Sequence, residues 1–150
     1  MKRRTKAQKI GDCFDAFKCI REGKKVKRSG AKDGSIATHP IVPVPELSER
    51  DVKTECLKWL KQRGIFCNSH GCGFHQNEVG EYHMYGIKNS GDIHGYLRNG
   101  VGFEIECKKG KGGRHSAGQQ KRMKRVRKTN GVYFVIHGVP ELEFYMGDLI

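Results

Sequence analysis

The chain has no run of about 18 apolar residues, so no stretch of it reads as a membrane-spanning helix. Its basic start, Met1 to Lys6, is followed by no apolar segment, so a secretion signal is not expected. There is no internal repeat, and no helix-turn-helix or zinc-finger reading head. Asp and Glu are missing entirely between Lys108 and Lys128, where ten Lys or Arg occur. A solvated helix face usually mixes both signs, so a one-signed stretch this dense points to phosphate contact. Without a reading head, such contact positions a nucleic acid and reads no sequence.

At 150 residues the chain suits one domain with one core. It carries 29 Lys or Arg against 16 Asp or Glu, a net charge of +13, which favours a polyanionic partner. A merely solubilising charge or a basic tail is the competing explanation, and charge alone does not separate DNA from RNA. The six cysteines, at 13, 19, 56, 67, 72 and 107, read as free thiols of a reducing, cytoplasmic home.

Residues 1–46 read as a basic, partly flexible extension. Ile10, Phe14, Phe17 and Ile20 have helical spacing, Arg21 to Ser35 is rich in Lys and Gly, and Pro40, Pro43 and Pro45 make a stiff lead-in. The compact domain is expected over residues 47–150. Ser48 is a candidate N-cap, Glu49 and Asp51 are first-turn acids, and Val52, Cys56, Trp59 and Leu60 form an apolar stripe that Gly64 ends. A short strand at residues 65–67 follows. Residues 68–90 read as loop with room for one hairpin. Ile93 to Leu97 and Val101 to Cys107 read as strands around the turn Arg98-Asn99-Gly100. Ser116 to Lys128 reads as a basic helix with a thin stripe of Met123 and Val126, closed by Asn130-Gly131. Val132 to His137 reads as a buried strand, and Leu142 to Tyr145 as an edge strand. The fold class is α/β of the α+β type, a small mixed sheet with helices against it.

Side chains alternate along a strand, so Glu106 and Lys108 share a face while Phe103, Ile105 and Cys107 share the other. Antiparallel counting about Asn99 sets Asp92 opposite Glu106. Two carboxylates that close demand a cation, and Mg²⁺ is held by such pairs with several waters retained. The backbone carbonyl of Cys107 is a third candidate ligand. Lys108 can orient or deprotonate a water and offset charge developing on a phosphate. A surface hairpin with an unrelated Glu-x-Lys is the bland alternative.

Ser90-Gly91-Asp92-Ile93-His94-Gly95, Phe103-Glu104-Ile105-Glu106-Cys107-Lys108, Lys111-Gly112 and Ser116-Ala117-Gly118-Gln119 together resemble the virus-type replication-repair nuclease (VRR-NUC) domain of the PD-(D/E)XK nuclease superfamily. The resemblance runs from about Leu47 to Ile136 and includes the closing Gly131 to Ile136; residues 1–46 are not covered. It implies a Mg²⁺-dependent DNA endonuclease, with Mn²⁺ able to substitute, on a restriction-endonuclease-like core. With no sequence-reading head, recognition of DNA structure is expected, and the expected substrates are branched, flapped or junction DNA. Asp92 and Glu106 match the metal-binding acids, Lys108 the catalytic lysine, Gln119 the glutamine on the next helix, and Glu55 the acid on the first helix. Gly91 departs from the proline of the superfamily name. Glu104 adds an acid on the Glu106 face and reads as an exposed strand-start residue ahead of a further ligand. Gln119 is preferred to Gln120 because Met123 and Val126 fall on its side of the helix.

Glu55 otherwise reads as a solvated helix residue, although its spacing from Val52 and Trp59 places it near the stripe. The expected nucleic-acid contacts are Lys109, Lys111, Arg114, Lys121, Lys124, Arg125 and Lys128. Cys67, His70, Cys72 and His75 contain zinc-ligand residue types, but they interleave within nine residues, unlike the usual paired spacing. A loop facing a substrate, with His70, His75 and His83 at phosphates, is the stronger expectation. The competing functions are a non-catalytic nucleic-acid-binding protein on a degenerate nuclease fold and a small zinc protein. A homodimer is a further expectation, through the Ile10, Phe14, Phe17, Ile20 stripe or through Leu142, Phe144, Leu149 and Ile150; packing of either on its own domain is equally expected.

Overall fold

The computed structural model describes residues 18, 21–23 and 33–150. The expected helix of Ile10, Phe14, Phe17 and Ile20 lies outside the described residues. Residues 35–150 form one compact unit, to which every candidate site residue belongs.

The first described helix, α1 (Glu49–Gln62), starts where the sequence places it. The Ser48 hydroxyl oxygen accepts the Asp51 amide at 3.2 Å, satisfying one of the orphan donors of the first turn. Gly64, at φ +70, lets the chain leave in a left-handed conformation that a side chain would resist. Val52, Cys56, Trp59 and Leu60 are all buried.

They pack on a four-stranded mixed sheet made, in spatial order, of β2 (Phe66–Ser69), β5 (Ile93–Tyr96), β6 (Gly102–Cys107) and β8 (Val132–Ile136). The antiparallel β5–β6 register pairs Ile93 with Ile105 and Tyr96 with Gly102, which is the register that counting about Asn99 expects. Alternation sends Ile93, Phe103, Ile105 and Cys107 into the core with α1. It sends Glu104 and Glu106 to the opposite face. The helix α2 (Ala117–Lys128) crosses that face and connects β6 to the parallel strand β8. No α2 residue is fully buried, so polar pairs rather than an apolar stripe hold it down. Gln119 bonds to Glu106, Arg122 to Glu104, and Arg127 donates to the Tyr133 carbonyl at 3.1 Å.

Two expectations change. The compact unit takes in residues 35–46, because β1 (Ile36–Thr38) pairs with β7 (Gly113–His115). Thr38, the last residue of β1, meets the buried His137, and beyond β1 the Ile41 amide donates to Glu141. The segment over residues 142–145 is not an edge strand but part of helix α3 (Val139–Met146). Pro140 presets helical φ in its first turn, and Leu142 and Met146, four apart, both reach the core. Of the tail offered as a dimer surface, Leu142 therefore packs on its own domain, while Phe144 and Leu149 are exposed. The loop over residues 68–90 does contain a hairpin, β3 (Gly73–Gln76) with β4 (Tyr82–Tyr85). Among the described residues no helix is long and apolar enough to cross a membrane.

Candidate metal centre

Asp92 immediately precedes β5 and stands beside Glu106 near the end of β6. Its Oδ2 accepts the Cys107 amide at 2.9 Å, which fixes the carboxylate against the next strand. Glu106 is 3% exposed and is surrounded by donors. Lys108 Nζ lies 2.5 Å from Glu106 Oε1, Gln119 Nε2 donates to the same oxygen at 2.5 Å, and the Tyr133 hydroxyl reaches Oε2 at 3.4 Å. Gln119 is oriented by its own helix start: its Oε1 accepts the Ser116 amide while the Ser116 hydroxyl accepts the Gln119 amide, a complete capping box. Asp92, Glu106, Lys108 and Gln119 are thus brought together as the sequence expects.

Glu55 is not among them. It is exposed on α1, and the acid that joins the site is Glu49. Carboxylate oxygens of Glu49, Asp92 and Glu106 lie within 4.8 Å of one another. At about 100° per residue, Glu49 lies in line with the buried stripe, three before Val52 and seven before Cys56, whereas Glu55 falls on its flank. That alignment, together with a place at the helix N-terminus, was the signal available for Glu49. Lys53, also missed, sits 3.8 Å from Asp92 and donates to the His70 carbonyl at 2.7 Å.

Burial pushes the Glu106 carboxyl up to about 7, against the pull of Lys108. Its protonated form is favoured by the fold, so this group's contribution is full below its ordinary value of 4.5 and is lost as pH rises towards about 7. In EDTA, stability against urea should therefore fall between those pH values, and Glu106→Gln should remove that part of the slope. Equal slopes in the two proteins would contradict the assignment. His115, stacked on Tyr133 at 5.9 Å, is held below its ordinary 6.5 by burial and by Lys108 and Arg127.

Glu104 is not an exposed strand-start residue, and it lies outside the three-carboxylate group. It is 7% exposed and forked by Arg122, whose Nε lies 3.0 Å from Oε1. Its Oε2 accepts the Gly91 amide at 3.1 Å. Burial acts to raise the Glu104 pKa, but Arg122 and the Gly91 amide outweigh it and hold the carboxyl below its ordinary 4.5. The Gly91 bond explains the departure at that position: proline has no N–H to give. A Cβ at Gly91 would also come within 2.9 Å of the Ile105 carbonyl oxygen.

The Cys107 side chain is buried in the core, so only its backbone faces the acids. Cys67, His70, Cys72 and His75 do not assemble: Cys67 points into the core, and the His70 ring accepts the Ile87 amide at 3.1 Å. Among the described residues, the one group spaced to hold a cation is the three carboxylates. Of the basic residues, Lys109, Lys121, Lys124, Arg125 and Lys128 are exposed, Lys111 pairs with Glu46 at 2.6 Å, and Arg114 ties β7 to Ser35 at 2.6 Å.

The all-oxygen donor set suits a hard divalent cation such as Mg²⁺ or Mn²⁺. A buried carboxyl raised by desolvation is one that a cation would return to its charged form. In comparisons with family models, curated proteins and solved structures, none matched the chain.

Proposed function

We propose that this protein is a metal-dependent DNA endonuclease that hydrolyses phosphodiester bonds and selects DNA by structure. The observation that carries the reading is the convergence of Glu49, Asp92 and Glu106 with Lys108, which lies 2.5 Å from Glu106 and 3.9 Å from Glu49. Asp92 and Glu106 would hold the ion, with Glu49 and the Cys107 carbonyl as further ligands. When bound, the ion polarises the scissile phosphate and lowers the pKa of a coordinated water. Lys108 is the counter-ion of Glu106 and supplies positive charge where negative charge develops on the phosphate. Gln119 anchors the Glu106 carboxylate and sets its orientation. The exposed basic face of α2 lies on the same side of the sheet as the acids, so phosphate contacts there would position a strand over them.

The test is nicking of supercoiled plasmid, followed by a panel of linear, flapped and four-way junction DNAs, each with Mg²⁺ and with EDTA. Mg²⁺-dependent cleavage is expected, strongest on a branched substrate. Binding without cleavage in any divalent cation would overturn the reading and leave a binding protein. Binding should also weaken steeply with salt. Lys121→Glu with Lys124→Glu should flatten the log–log salt dependence by about 0.9 for each phosphate that the variant no longer neutralises on duplex DNA. An unchanged slope would put the DNA-binding face elsewhere.

A further inference from the structure

The sheet face that carries Asp92 and Glu106 continues beyond the metal centre. Between the β5–β6 hairpin and α2 runs a groove of about 620 Å³, within the size range of ligand clefts. His94 and Glu104 line the end nearer the acids, Tyr96 and Gly102 the far end, and Arg122 and Arg125 the helix side. Arg122 neutralises Glu104, so the acid at the groove does not repel an anion. Arg125 is exposed and forms no salt bridge among the described residues, so its guanidinium is available to a phosphate.

At the far end Tyr96 meets Phe66. They are register partners of the β2–β5 pair, with ring centroids 6.3 Å apart. Tyr96 is 57% exposed and Phe66 68% exposed, so neither belongs to the core. Two large rings left open at the end of an arginine-lined groove form a surface that water covers poorly and that flat aromatic ligands cover well. Tyr96 stands four residues along the strand from Asp92, ~13 Å at about 3.3 Å per residue. That span is about four nucleotide steps at the ~3.4 Å spacing of a duplex strand, and fewer when the strand is unstacked.

We propose that this groove holds an unpaired nucleic-acid strand next to the scissile phosphate, with bases stacked on Phe66 and Tyr96 and a phosphate against Arg125. The inference rests on the nuclease reading of the metal centre for its account of which phosphate is cut. Charge complementarity identifies the occupant: the chain carries +13, and the groove's free side chain is an arginine. The strand must be unpaired because a ring stacks on the face of a base, and bases inside a duplex turn only their edges outwards. The substrate class is therefore DNA with a single-stranded segment beside the cut.

Fluorescence anisotropy in EDTA tests the groove without the metal centre. The probes are a labelled single strand about 12 nucleotides long, within the site sizes of single-strand binders, and the matching duplex. Wild type should bind the single strand more tightly at the same salt. Phe66→Ala with Tyr96→Ala should weaken single-strand binding by about tenfold or more, the scale of losing stacked bases, and leave duplex binding nearly unchanged. Tyr96→Phe should bind like wild type, because the ring and not the hydroxyl is used. Both rings are exposed, so circular dichroism should show an unaltered fold. An equal loss on both probes, or no loss on either, overturns the groove assignment. Loss of plasmid nicking is scored separately: an inactive wild type that still shows the ring-dependent preference for single strands overturns the nuclease reading and leaves the groove standing.

Discussion

Asp92→Ala and Lys108→Ala should each lower the rate of Mg²⁺-dependent plasmid nicking by about 10²–10³-fold or more, the scale of removing one preorganised charge-stabilising group from a transition state. Asp92 is the clean case. Its side chain is 28% exposed and accepts one strong amide bond, from Cys107, so its loss should cost the site far more than the fold. Glu106 is better tested as Glu106→Gln. The amide keeps the volume between Lys108, Gln119 and Tyr133 while removing the charge, and it should be as inactive as Asp92→Ala. Glu49→Ala and Glu55→Ala make the sharper comparison. Both remove an exposed glutamate from the same helix, and only Glu49 lies within 4.8 Å of the other carboxylates. Glu49→Ala should slow cleavage by about 10–100-fold, as loss of groups supporting a metal site does, and Glu55→Ala should cut like wild type. The reverse ranking would return the first-helix acid to Glu55. Thermal melts of Asp92→Ala, Glu49→Ala and Glu55→Ala should stay near wild type, which separates chemistry from unfolding. Lys108→Ala and Glu106→Gln break a buried pair and should melt lower, so their cleavage is compared well below their own Tm.

Glu104→Ala should be defective for a different reason. It leaves Arg122 without its partner, the Gly91 amide without its acceptor, and α2 without one of the few bonds that hold it to the sheet. Breaking a buried pair by removing one member costs about 3–5 kcal/mol. The lower end is expected because Arg122 is 22% exposed and can recover water. For a chain of this size about 3 kcal/mol corresponds to a drop in Tm of very roughly 10 °C. Cleavage by Glu104→Ala should be lost at 37 °C and partly regained on cooling. Glu104→Leu with Arg122→Leu should restore much of the stability, since an apolar pair needs no counter-charge. A Glu104→Ala protein that melts like wild type yet stays inactive at every temperature would instead make Glu104 part of the chemistry.

The contrast between Glu104 and Glu106 shows where sequence reading stops. Both are buried acids on one strand face, and alternation finds both. Only packing tells them apart, because the residue that neutralises Glu104 lies on a helix that carries no buried residue of its own. In the sequence Arg122 is one more charge of the one-signed stretch between Lys108 and Lys128. The β1–β7 pair was equally hidden: strands of three residues carry no usable period, and their backbone bonds join segments far apart in the chain.

Local signals in the chain suffice for the elements on which the candidate site depends. Ser48 and its following stripe set α1, Asn99-Gly100 set the β5–β6 register that brings Asp92 to Glu106, and Ser116 with Gln119 set the start of α2. A cap, a turn or a period acts within a few residues and needs nothing distant to be read. Packing of the whole chain selects Glu49 over Glu55, buries Glu104 under Arg122, joins residues 35–46 to the domain, and leaves the groove open between the acids and the Phe66–Tyr96 rings. Each depends on how one element is rotated and seated against another. That seating is settled by which buried surfaces and buried charges are satisfied together, a condition on the whole assembly that no single segment carries.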